Sequence, residues 1–198
     1  MTSHLFSWSG IDDPTRVDHA FVELRESSMR AIGGARAQGF ASSWELDVAP
    51  GWVTRALRVT THGFGWARSL DLTRSDQGHW AAETSSRGDI DLPLPGLSDP
   101  GSLAEAIDCD LGLCPVTNTM PIRRLGLLDQ NVEETKLVMA WVETPSLRVL
   151  RSDQIYASGP TGDRGRVRYT SFSRDFSAHL TVDDNGFVID YPTLTHRN

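Results

Sequence analysis

Between positions 108 and 124 the chain reads DCDLGLCPVTNTMPIRR, and most of its candidate chemistry is concentrated there. If residues 108–111 form a strand, Asp108 and Asp110 share one face, about 6–7 Å apart. Pro115 and Pro121 fix φ at two points, so the backbone between them does not enter a sheet ladder. Thr117, Asn118 and Thr119 are short side chains suited to local capping. Arg123 and Arg124 follow at once, and a guanidinium is a planar fork for a carboxylate, a phosphate or a sugar diol. Two arrangements fit these residue types. In one, an Arg–Asp network is buried and holds a rigid, self-hydrogen-bonded corner. In the other, the arginine forks with Thr117 and Asn118 line a polar mouth and grip the hydroxyls or phosphates of a head group.

A catalytic arrangement is also conceivable. Asp108 and Asp110 beside Arg123 form an acid–base pair of the kind that cleaves a glycoside or a phosphate ester. Neighbouring strand aspartates are more often structural. No G-x-S-x-G elbow, H-E-x-x-H, P-loop or G-x-G-x-x-G occurs, and no catalytic residue is assigned. Gln154 and Tyr156 share a strand face and are candidates to project into the same cavity. Arg197 near the terminus reads as a solvated charge.

The remaining composition narrows the partners. The chain has 198 residues, 39% of them apolar, which is enough for a real core, and a formal net charge of -7. That charge argues against nucleic acid and against an anionic membrane as the main partner. Of the 19 basic residues, Lys136 alone is lysine. Cys109 and Cys114 are the two cysteines, and their spacing with no second pair does not make a zinc tetrahedron. The six histidines are scattered, so no metal or cofactor is expected. No basic and apolar leader opens the chain, and no apolar run approaches the roughly 20 residues of a membrane span. The expectation is a cytoplasmic protein.

The elements that must position the corner are strands. In SSWELDVAP, Trp44, Leu46 and Val48 alternate with Glu45 and Asp47, the period of a half-buried strand. Segments 52–60 and 65–73 read as a hairpin around His62, Gly63 and Phe64, and 78–84 follows. DLPLPGLSDPGS is a loop. Segment 136–143 is apolar on both faces, which marks a strand covered on both sides. Segments 147–158 and 166–173 continue the set. Residues 178–191 form the clearest hairpin, turning on Asp184, Asn185 and Gly186. Helix is expected only at 101–106, capped by Ser102, and at 121–128, starting on Pro121. The six tryptophans belong mostly to the core. The fold class is therefore all-β, with strand above about 40% and helix below about 15%, against averages of 20–25% and 30–35%.

These stretches carry a resemblance. IDCDLGLCPVTNTMPIRRL, PSLRVLRSDQIYAS, RVRYTS and VDDNGFVIDYPTLTHR, with SWELDVAPGWVTRALRV upstream, resemble the bacterial family of putative glycolipid-binding proteins. In that family a D-x-D segment leads into T-P-x-T-N-T-x-P-I-R-R-L, a Q-x-Y segment follows, and the chain closes on D-Y-P and an arginine. Here Cys114, Pro115 and Val116 stand where the pattern has threonine, proline and phenylalanine. The resemblance implies a single-domain, mainly antiparallel spiral β-roll over residues 1–198, similar to the half-barrels of lipoprotein carriers. It also implies binding of a glycolipid or another amphiphile, with no reaction. The ligand-binding candidates are then Asp108, Asp110, Thr117, Asn118, Arg123, Arg124, Gln154 and Tyr156. A module that binds a partner protein at an open edge of the roll is a further alternative.

Overall fold

The computed structural model describes residues 1–159, 165–172 and 175–198. Strands cover 57% of them and helix 7%. In chain order the strands are β1 (Thr2–Gly10), β2 (Val17–Leu24), β3 (Met29–Ala37), β4 (Phe40–Ala49), β5 (Val53–Gly63), β6 (Trp66–Arg74), β7 (Trp80–Arg87) and β8 (Gly96–Leu97). They continue as β9 (Asp108–Leu111), β10 (Thr135–Val142), β11 (Arg148–Ser158), β12 (Arg166–Ser171), β13 (Phe176–Val182), β14 (Val188–Tyr191) and β15 (Thr195–Arg197). A helix α1 (Thr119–Arg124) and two short 3-10 turns, Pro100–Leu103 and Pro115–Asn118, complete the set.

All strands join one unclosed sheet, ordered β7-β6-β5-β4-β3-β2-β1-β15-β14-β13-β12-β11-β10-β9, with β8 on β11. β1 to β7 form one antiparallel meander. The chain ends meet in the middle, where Trp8 pairs with Arg197 and Gly10 with Thr195. β9 runs parallel to β10, and β8 parallel to β11.

Hydrogen bonds show that the two flanks of the sheet meet. The Thr54 hydroxyl accepts from the Cys109 amide at 3.0 Å, and the Trp80 indole donates to the Ala106 carbonyl at 3.0 Å. The Thr61 hydroxyl donates to the Pro145 carbonyl at 2.8 Å. The sheet thus winds inward until β9 and β10 lie within the roll.

Two cores follow from this winding. The larger packs Trp8, Trp44, Leu57, Leu72 and Trp80 of the first flank against Val116, Met120, Ala140 and Val142. The second gathers Ile122, Met139, Tyr156, Tyr169, Leu180 and Tyr191. Adjacent residues Met139 and Ala140 point to opposite faces of β10, and each enters a different core. This is why segment 136–143 lacks a polar face. Gly33 lets the Trp44 ring lie on the β3 backbone, since a Cβ there would sit 2.4 Å from a ring carbon.

Several local expectations shift. The β5–β6 turn is Phe64–Gly65, because Gly63 still pairs with Trp66. In place of the helix expected at 101–106 stands a shorter 3-10 turn that starts earlier, Pro100–Leu103. Its N-cap is Asp99, whose carboxylate accepts from the Ser102 amide, so Ser102 is the capped residue rather than the cap. The helix expected at 121–128 is shifted to Thr119–Arg124, with Pro121 inside its first turn. Positive φ at Gly126 ends it early (φ 69). Ser173, the last residue of the expected strand 166–173, lies outside the described residues.

Candidate functional site

Asp108 and Asp110 lie on β9 and face the second core. Their two carboxylates have different partners. Asp108 is 1% exposed. The Arg124 guanidinium grips it with both fork nitrogens, at 2.5 and 2.6 Å, and also donates to the Trp52 carbonyl at 3.3 Å. Burial pushes the Asp108 carboxyl above its ordinary value, and Arg124 opposes that rise. Arg123 takes no part in this pair. Its guanidinium lies 5.3 Å from the centre of the Trp52 ring, a cation–π contact. An acid–base pair beside Arg123 therefore does not match the arrangement.

Asp110 is held by neutral donors. The Thr117 hydroxyl lies 3.1 Å from one oxygen and the Gln154 amide donates to the other at 2.8 Å. Thr117 also reaches the Cys114 carbonyl at 3.0 Å, so its single proton serves two acceptors. The Asn118 amide donates to the Pro115 carbonyl at 3.3 Å, and its carbonyl accepts from the Tyr156 hydroxyl at 2.9 Å. Thr119 donates to the Gly186 carbonyl at 3.2 Å. Thr117, Asn118, Gln154 and Tyr156 are all buried. The polar groups of the proline-bounded segment thus find partners within the fold, and the corner holds three separate sets: Arg124 on Asp108, Thr117 and Gln154 on Asp110, and Tyr156 on Asn118.

An opening lies beside Asp110 and Asn118. A small pocket with a free volume of about 10 Å³, about the space of one water, is lined by Asp110, Asn118, Trp141, Tyr169, Tyr191 and the loop Leu111–Cys114, with Leu194. Asp110 is its one charged side chain. The lips are the loops after β9 and after β14. Each contains a non-glycine residue with left-handed backbone, Leu113 (φ 67) and Thr193 (φ 68), a conformation held only where the surroundings enforce it.

All three tyrosines of the chain converge here. Ring centres lie 5.2 Å apart for Tyr156–Tyr169 and 5.8 Å for Tyr169–Tyr191, both edge-on. Partly exposed Leu137, Phe176, Ala178 and Leu194 border the cluster. Burial pushes the Tyr156 hydroxyl well above its ordinary value, so it stays a donor. Gln154 Oε1 is buried and has no hydrogen-bond partner among the described residues.

The sequence did not point to Tyr169, Trp141 or Leu194 as part of this place. A signal existed, since Tyr156, Tyr169 and Tyr191 are all inward residues of the last strands. What joins them is strand order. Arg197 also differs from the expected solvated charge. It donates to Asp183 at 2.6 Å and covers the Phe6 ring at 5.2 Å, tying the terminus to the β13–β14 turn. Cys109 and Cys114 are free and buried. Burial pushes the Cys109 thiol up to about 12, and raises that of Cys114 as well.

Residues 5–197 match the protein family described as "Putative glycolipid-binding". The chain belongs to this family. The crystal structure of a DUF1089 family protein from Pseudomonas aeruginosa superposes with a TM-score of 0.68 at 25% identity, covering 91% of this chain and 92% of that one. This family member thus shares its rolled sheet with a solved structure over nearly the full length. No curated protein matches the chain. Among the described residues no helix is long and apolar enough to cross a membrane.

Proposed function

We propose that this protein binds the sugar head of a glycolipid, or of a similar hydroxyl-rich amphiphile, at the pocket formed by Asp110, Asn118, Tyr169 and Tyr191. The observation that carries this reading is the pocket's lining: one carboxylate, one amide and an aromatic cluster, beside an apolar fringe. Sugars are recognised by this combination, with polar groups fixing hydroxyls and rings covering the C–H faces. A phosphate is disfavoured, because the single charge there is the anionic Asp110 and Arg124 is already occupied by Asp108. Leu137, Phe176, Ala178 and Leu194 provide apolar contact for the start of the lipid tail. The family's description supports the same class of ligand. Admitting a sugar ring requires the lips at Leu113 and Thr193 to part.

Trp141 is the test's reporter. It lines the pocket and is partly exposed, whereas the other five tryptophans are buried. A short-chain alkyl galactoside and the matching alkyl phosphate are titrated below their micelle concentrations. The galactoside is expected to shift both tryptophan emission and melting temperature. Trp141→Phe should lose the emission change while keeping the thermal shift. Equal binding of the alkyl phosphate, or no response to either, refutes the reading.

A further inference from the structure

The turns at the two ends of the rolled sheet differ in character. One end carries the polar turns Arg25-Glu26-Ser27-Ser28, Ser75-Asp76-Gln77-Gly78 and Asp183-Asp184-Asn185-Gly186, together with Pro50-Gly51 beside the buried Trp52. The other end carries Ile11 (47% exposed), Phe64 (103%), Ile90 (38%), Leu94 (83%) and Phe172 (55%), all outside the strands, with Ile90 and Leu94 sharing the loop after β7. This second end is also where the pocket opens.

Hydrogen bonds tie those turns to the pocket's lips. The Ile11 amide donates to the carbonyl of Leu194, a lip residue. Thr61, just before the Phe64 turn, donates to the Pro145 carbonyl, and the neighbouring Thr144 hydroxyl donates to the carbonyl of lip residue Gly112 at 3.3 Å. The segment bearing Leu94 is fastened by buried Arg68, which donates to the carbonyls of Leu92, Pro93 and Ser146. The exposed side chains therefore stand on anchored turns around one opening.

We propose that this end of the roll docks on an uncharged lipid–water interface, inserting Phe64, Leu94 and Ile11 among the acyl chains so that a lipid head is presented to the pocket. This rests on the binding reading above and adds the source from which the ligand is taken. The occupant follows from two features. Isolated apolar tips on separate turns offer no continuous surface for a folded partner to match, whereas fluid hydrocarbon needs no matching. The rim's carboxylates Asp12, Asp13, Asp89, Asp91 and Glu143 stand beside Arg16, Arg36, Arg87 and Arg148, with Asp12 paired to Arg16 and Glu143 to Arg148. The rim therefore has no basic excess to draw it to anionic lipid, and the net charge of -7 on the whole chain disfavours an anionic bilayer.

Vesicle flotation tests this with Phe64→Ser and Leu94→Ser, both at highly exposed positions where folding is little affected. Phe21→Ser and Ile32→Ser, exposed residues on the outer face of β2 and β3, are the controls. Wild type should float with phosphatidylcholine vesicles containing a galactosyl diacylglycerol, and less when phosphatidylserine replaces part of the phosphatidylcholine. Each tip substitution should lower the partition about 10-fold, the scale of burying one large apolar side chain. The controls should not lower it. Binding of the soluble alkyl galactoside should be unchanged in the tip variants, which separates docking from head-group recognition. A wild type that stays with the aqueous phase, controls that lose as much as the tips, or stronger flotation on phosphatidylserine each overturns the docking proposal. Loss of galactoside binding in wild type with flotation intact sinks the pocket reading alone.

Discussion

Arg124→Ala is the most informative single change to the corner. Asp108 is 1% exposed and its two charge-assisted bonds to Arg124 are short, 2.5 and 2.6 Å. Such bonds contribute roughly 1.5–3 kcal/mol each, and breaking a buried pair by removing one partner costs about 3–5 kcal/mol. The Arg124 side chain is 18% exposed, so water can enter the space it leaves, and we expect about 3 kcal/mol. In a protein of this size that corresponds to a melting shift of roughly 6–12 °C. The cost should depend on pH. With Arg124 gone, burial raises Asp108 further, and the folded state holds a proton that the unfolded chain releases. Stability of the variant should then fall, relative to wild type, as pH rises above the unfolded value of the carboxyl. Urea unfolding followed by tryptophan emission at several pH values measures both effects. Arg123→Ala is the internal control, because its partly buried cation–π contact on Trp52 is worth less, about 1–2 kcal/mol, and leaves no unpaired buried charge. An Arg124→Ala variant within ~0.5 kcal/mol of wild type at neutral pH, the range of ordinary surface changes, refutes the reasoning.

Two further outcomes follow from neighbouring groups. Tyr156→Phe leaves the buried Asn118 carbonyl without its donor and should cost about 1–3 kcal/mol by urea unfolding, with the strand contacts otherwise kept. Burial raises Asp18 from 3.8 to about 6, and Arg16 at 3.2 Å opposes the rise. The folded protein therefore binds a proton that the unfolded chain gives up between these values, so this group's stabilisation is complete below pH 3.8 and is lost as pH rises through about 6. Asp18→Asn should flatten that slope by an amount up to about 2–3 kcal/mol, read from thermal melts across the interval, and an unchanged slope would show that Asp18 is not its source.

Much of the strand pattern was legible without coordinates. Alternation in 44–48 and 178–191 is a property of neighbouring residues, since successive side chains of a strand point to opposite faces. The two-faced apolar run at 136–143 likewise announced a strand between two cores. The proline-bounded corner was readable as rigid, and an Arg–Asp pair was readable in kind. Which arginine pairs was not, because Arg123 and Arg124 differ only in the direction set by the short helix that carries them. The helix limits were missed for a related reason: the 3-10 turn that precedes α1 packs against β9 and β14, strands far apart in the chain.

Sequence by itself determined a chain of short strands with one buried face, a polar corner between two prolines, and membership of a family. Tertiary structure decided that the chain ends pair as β1 and β15, that β9 lies parallel to β10 inside the roll, and that Arg16 and Arg68 are buried. It also gathered Tyr156, Tyr169 and Tyr191 beside one opening, and set the exposed side chains of Ile11, Phe64 and Leu94 on turns at the end where that opening lies. The reason is physical. Period-2 alternation is local and survives in any strand order. Strand order depends on contacts between residues far apart in the chain, and no local pattern records them.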